Sequence, residues 1–404
     1  MDLIATTDKL AEVCGRLKRA AVVTVDTEFI RDQTFWPELC LVQIAGPEEV
    51  VLIDPLAKGL KLEPLYELLA VKKVTKVLHA ARQDIEIFHH QAGIIPAPLF
   101  DTQVAAMVCG FGDSVSYEAL VKRTVNAAVD KSSRFTDWRR RPLSEQQLTY
   151  AVADVTHLRG VYEVLAARLK ESGREPWVAE EMATLVNPRT YSLAPEDAWR
   201  RIKPKSMSRR ALAVLMEIAA WREREAQSRN VPRARIMKDE ALLEIAHQAP
   251  ESREALARLR AVPSGFANSR GAKGLLEAVA RALAVPKEEL PIAPRARSAP
   301  PGAAPTIELL KVLLKMKCEA HGVAPKLVAS SEDLEAIAAD DNAEVPALSG
   351  WRRDLFGADA LALKHGELGL SVHDGALALM ALKPKRREPE SQKRAPNATP
   401  AKTH

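Results

Sequence analysis

The sequence predicts a mixed α/β domain followed by two all-α helical domains. Three observations support this prediction. Apolar, β-branched segments of strand length are concentrated near the N-terminus, helical periodicity dominates from residue 208 onward, and proline-containing polar stretches separate these regions. A chain of 404 residues also exceeds what one hydrophobic core ordinarily holds, so several domains are expected.

Four short segments near the N-terminus have the composition of β-strands. The first three follow one another closely, and the turn-like sequence GPEE separates the second from the third. Strands joined by such short connections are expected to pair antiparallel, and the fourth strand then completes a mixed sheet. The predicted strands are 21–28, 39–45, 50–54 and 74–79.

Two helices are predicted within the α/β domain. Residues 81–92 have apolar side chains at helical spacing, and Gly93 is expected to end this helix because glycine readily adopts the left-handed C-terminal conformation. Residues 143–170 form a longer helical segment. Ser144 is expected to cap its N-terminus, since a serine hydroxyl accepts hydrogen bonds from the first backbone amides of a helix.

Composition divides the rest of the chain. Three prolines interrupt a polar stretch at 188–207 that turns basic, and a Pro- and Ala-rich stretch further on is typical of an extended linker. The basic C-terminal tail has almost no apolar side chains and is expected to be disordered. The predicted division is 1–200 for the α/β domain, 207–288 for the first helical domain, 289–305 for the linker, 306–382 for the second helical domain and 383–404 for the tail.

The two helical regions contain a weak internal repeat. A shift of 92 residues aligns Leu242 with Leu334 and Ile245 with Ile337, and a helical pattern precedes both copies. Repetition of this kind indicates one small helical module present twice.

Acidic side chains occur at three places in the α/β domain. Asp26 and Glu28 point to one side of the first strand, because strand side chains alternate between faces. Asp84 follows the fourth strand at the start of a helix, and Tyr150 and Asp154 are one helical turn apart on one face of the long helix. Each signal alone has an ordinary explanation as a solvated acid or an acid near a helix N-terminus, so their value lies in combination.

Four carboxylates from these elements suit a two-metal phosphodiesterase. Magnesium prefers hard oxygen ligands, so Mg²⁺ or Mn²⁺ is expected. Two such ions flanking a scissile phosphate lower the pKa of an attacking water and neutralise the leaving 3′ oxygen. Tyr150 is expected to orient that water rather than to act as a base, because the ordinary pKa of tyrosine is high.

Composition excludes several other classes of protein. The four cysteines form no C-x-x-C pair and no histidine lies at zinc-ligand spacing, so neither a disulfide framework nor a zinc site is expected. A formal net charge of +5 does not by itself indicate a nucleic-acid binder. The N-terminus lacks the pattern of a secretory signal and no apolar stretch reaches membrane-spanning length, so we expect a cytoplasmic protein without membrane association.

Three motifs resemble the exonuclease motifs of the ribonuclease D family. They are VDTEFIRDQTFWPELCLVQIA, HAARQDIEIF and LSEQQLTYAVADVTHL, and the segments FDTQVAA and KSSRFTDWRRRPL are also similar to that family. The similarity covers residues 1–170 in order. Tyr at position 150, with Thr at 149, is typical of the tyrosine branch of the DEDD superfamily. The four acids that give the superfamily its name fall on Asp26, Glu28, Asp84 and Asp154.

The resemblance implies a ribonuclease H-like domain that releases 5′-mononucleotides from the 3′ end of RNA. The expected substrate is RNA with a single-stranded 3′ end, above all the 3′ extension of a precursor transfer RNA, and no obligate protein partner is indicated. By the same resemblance, Asp26 bridges two metal ions and Asp84 supports one of them. Glu28 and Asp154 complete the site that activates water, and Glu28 also meets the terminal 3′ hydroxyl.

Residues 208–285 resemble the helicase-and-RNase-D C-terminal domain, abbreviated HRDC. Residues 306–382 resemble a second, more divergent copy, whose acidic segment SSEDLEAIAADDNAEV argues against direct RNA contact. Family members bind nucleic acid through basic helix faces, although such a face is as often simply solvated. The arginines predicted to contact phosphates are Arg222, Arg224, Arg229, Arg233 and Arg235.

Aromatic residues beside the motifs are candidates for stacking on RNA bases, because single-stranded ends are held by stacking as well as by charge. Phe29, Phe35, Trp36 and Trp138 are the candidates, and core packing is the stronger expectation for Phe29. His79 and His157 flank the motifs, and we interpret both as packing residues rather than metal ligands.

Two other functions remain open at this level. A DNA 3′→5′ exonuclease of the proofreading kind uses the same acids, but the paired helical modules and the absence of a polymerase-sized extension argue against it. An inactive RNA-binding scaffold would be expected to have lost at least one acid, whereas all four are present.

Overall fold

The structure is a computed structural model that describes residues 3–382, except 131, 134–135, 193, 203–206 and 293–301. The predicted tail, 383–404, and most of the predicted linker lie outside the described residues. The chain forms two compact units. The first contains the α/β domain and the first helical domain, and the second contains the helices that follow.

The described part of the α/β domain is built on a six-stranded mixed sheet with the order β1-β4-β3-β2-β5-β6. β2, β3 and β4 pair antiparallel, whereas β1 is parallel to β4, and β2, β5 and β6 are mutually parallel. The four predicted strands and the antiparallel pairing of the first three are therefore confirmed. The strands are β1 Leu3–Ile4, β2 Val22–Ile30, β3 Glu38–Ala45, β4 Val50–Ile53, β5 Thr75–Leu78 and β6 Leu99–Asp101.

Seven helices accompany this sheet within the described residues. The predicted cap is confirmed, because the Ser144 hydroxyl and the Gln147 side chain form a reciprocal capping box at the start of α6. Gly93 ends α3 in the left-handed conformation, with φ 66°. The helices are α1 Thr7–Leu17, α2 Glu63–Ala70, α3 Arg82–Ala92, α4 Thr102–Val108, α5 Tyr117–Val125, α6 Glu145–Ser172 and α7 Glu175–Leu185.

The long helix α6 packs across β2, β3 and β4. Its inner side carries buried apolar residues, among them Val155, Leu158 and Val161, each 2% exposed or less. The Thr24 hydroxyl on β2 donates to the Val155 carbonyl oxygen at 2.7 Å. Because Thr24 lies two residues before Asp26, this bond holds α6 over the face of β2 that carries Asp26 and Glu28.

The first helical domain has a continuous apolar core, and the 3₁₀ segment Pro195–Arg201 belongs to it. Trp199 and Ile202 are buried among the residues of this core. The domain limit predicted at residue 200 therefore cuts through a segment that packs with the helical domain, and packing places the limit ahead of Pro195. The helices are α8 Arg209–Ser228, α9 Arg233–Ile236, α10 Asp239–Gln248, α11 Arg253–Ala257 and α12 Arg270–Ala284, with 3₁₀ turns at Phe266–Asn268 and Lys287–Glu289.

The second unit repeats the start of that helical pattern. α14 and α15 begin 92 positions after α9 and α10, as the internal repeat predicts. The prediction of an all-α domain up to 382 was wrong at its end, where β7 and β8 form an antiparallel hairpin. The elements are α13 Ala304–His321, α14 Pro325–Val328, α15 Ser331–Ala339, a 3₁₀ turn Pro346–Leu348, α16 Gly350–Arg352, a π-helical turn Arg353–Gly357, α17 Ala358–Lys364, β7 Leu368–His373 and β8 Ala376–Ala381.

Among the described residues, no helix combines the length and the apolar character needed to cross a bilayer.

Candidate active site

Two acids of the site are supplied by β2. Asp26 lies opposite Gln43 and Glu28 opposite Leu41 in the antiparallel ladder with β3, and the register shifts directly after Glu28. Alternation along the strand puts both carboxylates on the face beneath α6. The irregularity after Glu28 sets Phe29 at the rim of the same cleft, which it helps to line.

The third acid is supplied by α6, one turn after Tyr150. Asp154 is 6% exposed, and its backbone carbonyl accepts a hydrogen bond from the hydroxyl of Tyr117 on α5. Together with the bond from Thr24 to the next residue, this contact fixes the height of α6 above β2. Side chains at i and i+4 of a helix lie on the same face, so Tyr150 and Asp154 both point into the cleft.

The fourth acid, Asp84, lies in the first turn of α3, which follows β5. The turn between them places Ala80 in the left-handed region, with φ 57°, a conformation that costs a non-glycine residue free energy. Asp101 stabilises this turn, because its carboxylate accepts from the backbone amides of Ala80 and Ala81 at 3.1 and 2.8 Å. It also caps α4 by accepting from Gln103. One buried carboxylate therefore fixes the start of both helices.

The acids converge as the sequence predicted. One carboxylate oxygen from each of Asp26, Glu28 and Asp154 lies within 4.8 Å of the others. Asp84 lines the same cleft, which has a volume of about 430 Å³, and accepts a short hydrogen bond from the hydroxyl of Thr27 on β2. The assignment of these four acids as metal ligands remains a prediction that their convergence supports.

The electrostatics of the cleft favour a bound cation. Burial and the nearby carboxylates of Asp154, Asp84 and Glu28 raise the pKa of Asp26 well above its ordinary value. Burial likewise raises the pKa of Asp84 to about 7, although the Thr27 hydroxyl opposes this shift. Carboxylates that repel one another so strongly ionise together only when a positive charge lies between them, so the residues present fit a divalent metal ion.

Tyr150 is held beside the acids. Its hydroxyl forms a hydrogen bond with the Asp154 carboxylate, and burial together with the charges of Asp154, Glu28 and Asp26 raises its pKa. The hydroxyl therefore stays protonated at neutral pH. This environment agrees with a role in orienting water and excludes a role as a strong base.

Sequence reasoning missed several residues around this cleft. Tyr117, Gln83 and Gln103 line it, but they come from three separate helices and have no spacing relationship to the acids. His79 also lines the cleft, where it had been interpreted only as a packing residue. For Asp101, the segment FDTQVAA contained a signal, since an acid before a helix is a common N-cap.

The structure corrects the prediction that Trp138 stacks on an RNA base, and it covers one face of the Trp36 ring. Trp138 is 2% exposed and packs in the core near Tyr150, so it offers no surface for an RNA base. Phe35 is also 2% exposed and packs in the core of the first helical domain, so the same correction applies to it. Trp36 stacks on His90 with ring centroids 3.7 Å apart, which covers one of its faces. Phe29, for which core packing was the stronger expectation, is half-buried and lines the cleft instead.

Two of the predicted RNA-contact arginines are used inside the protein. Arg222 is 3% exposed and donates to Asp239 at 2.5 Å and to the Met237 carbonyl oxygen at 3.0 Å, so the prediction that it contacts phosphate was wrong. Arg233 makes two hydrogen bonds of 2.6 Å with the buried carboxylate of Glu223. The Nε edge of its guanidinium is therefore matched to a carboxylate within the protein.

The same arginine connects the helical domain to the loop between β2 and β3. Arg233 lies over the ring of Phe35, 4.4 Å from its centroid. Asn230, in the left-handed conformation, accepts from the backbone amides of Phe35 and Trp36 at 3.1 and 3.0 Å. The stretch NVPRAR, which contains two of the predicted RNA-contact arginines, Arg233 and Arg235, thus also contacts the loop of the strand pair that carries the active-site acids.

The other three predicted arginines keep exposed guanidinium groups. Arg224 pairs with Glu196 at 3.2 Å, and Arg229 lies 4.0 Å from Glu225. Arg229 and Arg235 line a cavity of about 620 Å³ in the first helical domain, together with Arg270, which the sequence had not singled out.

Known proteins have sequences and structures similar to those of this chain. Residues 1–170 match the family model described as a 3′-5′ exonuclease, and residues 211–279 match that of the HRDC domain. The chain is 56% identical to ribonuclease D of Nitrobacter hamburgensis, over 93% of this chain and 98% of the relative. It is 53% identical to ribonuclease D of Granulibacter bethesdensis, over 94% of this chain and 96% of the relative.

A solved structure gives the same result. Escherichia coli RNase D, described as an exoribonuclease involved in structured RNA processing, aligns with a TM-score of 0.79 and 32% identity, covering 91% of this chain and 98% of that one.

The mixed sheet, the convergent acids and the matched domain define a 3′→5′ exonuclease of the DEDD type, a fold that implies the use of divalent metal ions. Its relatives act on RNA rather than as polymerase proofreaders, so the RNA activity is favoured over both alternatives. The chain belongs to the ribonuclease D family and is a hydrolytic 3′→5′ exoribonuclease.

Proposed function

We propose that this exoribonuclease trims the 3′ extensions of precursor transfer RNA and other structured RNAs, in the cytoplasm, by two-metal hydrolysis that releases 5′-mononucleotides. The convergence of three carboxylates within 4.8 Å, with Asp84 in the same cleft, is the observation that supports this mechanism most strongly. The solved relative from Escherichia coli, whose described role is in structured RNA processing, supports the substrate class.

The residues would divide the work as follows. Asp26, Glu28 and Asp154 would hold one cation, and Asp26 with Asp84 a second. Bound there, Mg²⁺ or Mn²⁺ would lower the pKa of the attacking water and neutralise charge on the leaving oxygen. The protonated hydroxyl of Tyr150, beside Asp154, orients the water by a hydrogen bond.

RNA would be held on both sides of the acids. Phe29 at the cleft rim offers a ring on which the terminal base can stack. Farther along the chain, Arg229, Arg235 and Arg224 keep exposed guanidinium groups that can contact phosphates. We assign no RNA contact to Arg222 and Arg233. The second helical region is proposed to be a divergent HRDC copy, on the strength of the 92-residue repeat.

One experiment tests the substrate and the mechanism together. Precursor transfer RNA with a labelled 5′ end and a single-stranded 3′ tail is incubated with protein and Mg²⁺, Mn²⁺ or EDTA. A ladder that shortens from the 3′ end, stops at the acceptor stem and requires metal is expected. An intact tail with both metals, or shortening in EDTA, would refute the mechanism. Trimming of an unstructured RNA in preference to the precursor transfer RNA would refute the proposed substrate alone.

Metal stoichiometry is measured separately. Isothermal titration with Mn²⁺ is expected to give two sites for the wild-type protein and fewer for Asp26→Asn, since Asp26 is proposed to contact both ions. A single site, or two sites unchanged in the variant, would contradict the two-metal assignment.

A further inference from the structure

His79, at the end of β5, lines the active cleft but is not used by the proposed mechanism. Its Nδ1 lies 2.9 Å from the hydroxyl oxygen of Thr102, a fully buried residue on α4. The Thr102 hydroxyl donates its single hydrogen to the Leu78 carbonyl oxygen at 3.1 Å. Because that hydrogen is used, the hydroxyl can only accept from His79, so Nδ1 carries the ring proton.

The tautomer leaves Nε2 with a lone pair. Because Nδ1 faces buried Thr102 and His79 lines the cleft, we infer that Nε2, across the ring from Nδ1, faces the cleft. Within the described residues, no side chain or backbone amide donates to it; the nearest ring, that of Tyr117, lies 5.3 Å away between centroids, and its hydroxyl is committed to Asp154. Burial lowers the pKa of His79 to about 4, so the ring is neutral at neutral pH.

A neutral acceptor in this place is selective about its ligand. Phosphate oxygens carry no proton at neutral pH and cannot donate to Nε2. The metal ligands are also separate, because His79 does not belong to the group of ligand atoms formed by Asp26, Glu28 and Asp154. Base amino groups differ among nucleotides, whereas an exonuclease removes every kind of nucleotide in turn. A base amino group is therefore not a donor that Nε2 would meet at each step. Ribose hydroxyls are the donors that every RNA nucleotide supplies.

We propose that Nε2 of His79 accepts a hydrogen bond from the 2′ hydroxyl of the 3′-terminal nucleotide, which makes His79 a specificity-determining residue for RNA over DNA. The 2′ hydroxyl is the group by which a protein distinguishes the two nucleic acids. A 3′ hydroxyl is present in both and would give no selectivity. The inference rests on the proposed assignment of this cleft as the catalytic site.

The kinetic test compares two RNA oligonucleotides that differ only in the sugar of the last nucleotide, ribose or 2′-deoxyribose. Release of that nucleotide is measured as kcat/KM for the wild-type protein and for His79→Phe. One neutral hydrogen bond is worth roughly threefold to tenfold, so the wild-type protein is expected to prefer the ribose end by about that factor. The variant is expected to treat both ends alike. Exposed His247 supplies the matched control, since His247→Phe should keep the preference.

The outcomes separate the two proposals. Failure of the wild-type protein to release any nucleotide would refute the catalytic assignment. Hydrolysis with a preference that persists in His79→Phe, or with no preference in the wild-type protein, would overturn the role of His79 alone. An oligonucleotide with a 3′-deoxy end gives a further check. If His79→Phe no longer distinguishes ribose from 3′-deoxyribose but still distinguishes ribose from 2′-deoxyribose, the proposed role is also overturned.

A second measurement is made on the wild-type protein and uses a variant only to assign one resonance. Nitrogen-15 NMR of the full wild-type chain, labelled at histidine and free of RNA, reports which ring nitrogen is protonated. The structure predicts a proton on Nδ1 and a lone pair on Nε2 of His79 at neutral pH, with the resonance assigned by its loss in His79→Phe. A proton on Nε2 would remove the proposed acceptor and overturn the inference.

Discussion

The active cleft and the basic segment of the first helical domain handle charge in opposite ways. In the cleft, one carboxylate oxygen from each of Asp26, Glu28 and Asp154 lies within 4.8 Å of the others, and burial together with the neighbouring carboxylates raises the pKa of Asp26. In the helical domain, Arg233 and Arg222 are each matched to a carboxylate, Glu223 and Asp239, at 2.6 and 2.5 Å. The first arrangement is electrostatically incomplete without a ligand, and the second is complete within the protein.

The difference teaches where binding capacity lies. A cluster of like charges is stabilised when a counter-ion binds. A guanidinium that is already paired with a buried carboxylate is stabilised little further by a phosphate. The effects expected below, from the largest to the smallest, distinguish side chains that bind a ligand from side chains that stabilise the fold.

The largest effect is expected for Asp26→Asn. It removes the carboxylate most strongly coupled to the others, so hydrolysis should fall by about 10³-fold or more. In EDTA, however, the free energy of unfolding should increase, because repulsion within the cleft is relieved. Nuclease rates and chemical denaturation measure the two effects, with exposed Asp32→Asn as control. An active variant would contradict the catalytic role of Asp26, and a variant destabilised in EDTA would show that the cleft is not under electrostatic strain.

Arg233→Ala should act on stability. Among the described residues it leaves the Glu223 carboxylate, 1% exposed, with only the 3.3 Å contact to Arg201, and a broken buried pair costs about 3 kcal/mol. Urea denaturation measures the change, and the half-exposed Arg201→Ala should cost less. If Arg233→Ala instead weakens RNA binding without loss of stability, the assignment of this arginine to the fold is wrong.

The pH dependence of stability should reverse on metal binding. The pKa of Asp84 is raised to about 7 in the folded state, so the metal-free folded protein binds an extra proton between the ordinary carboxyl pKa and about 7. On this account the free energy of unfolding of the metal-free protein is highest at low pH and is reduced as the pH rises through about 7. Saturating Mn²⁺ needs ionised ligands and should stabilise more as pH rises. Melting curves from pH 5 to 8.5, in EDTA and in Mn²⁺, give both slopes, and parallel slopes would count against metal binding at Asp84.

Tyr150→Phe should be milder than loss of an acid. The variant keeps the ring and removes one hydrogen bond to Asp154, so kcat should fall roughly tenfold while the affinity for Mn²⁺ changes little. Single-turnover hydrolysis and titration calorimetry separate the two quantities. A loss as large as that of Asp26→Asn would indicate that the tyrosine does more than orient water.

The smallest effect is expected for Arg229→Ala. Its guanidinium is 62% exposed and only 4.0 Å from Glu225 at its closest, so stability should change by less than about 0.5 kcal/mol. RNA affinity should fall slightly, and the slope of log affinity against log salt should decrease by about 1, as expected for one lost phosphate contact. An unchanged slope would place the RNA elsewhere.

The sequence predicts the parts of the fold that have a strong period. The strands around Asp26 and Leu41 and the helix of Asp154 have enough residues to show alternation or helical spacing, and all were predicted. β1 and β6, of two and three residues, are too short for any periodicity, and their strand character comes from pairing with β4 and β5.

The acids were predictable and the arginines were not, for a physical reason. Asp26 and Glu28 share a face because of strand geometry alone, a local property of the sequence. The contacts of Arg222 depend on Asp239, seventeen positions away at the start of α10, and those of Trp138 depend on how the chain before α6 folds back over the sheet. Such long-range partners are decided by tertiary packing, which composition and spacing do not describe.

Asp101 has a consequence for how the nuclease comes into being. Its single carboxylate ties the first amides beyond β5 to the first turn of α4, and it lies outside the group of acids proposed to hold metal. The position of Asp84 beside β2 is thereby set by the fold itself. On the proposed assignment, an ion would enter a preformed site and would spend little of its binding free energy on rearranging the polypeptide.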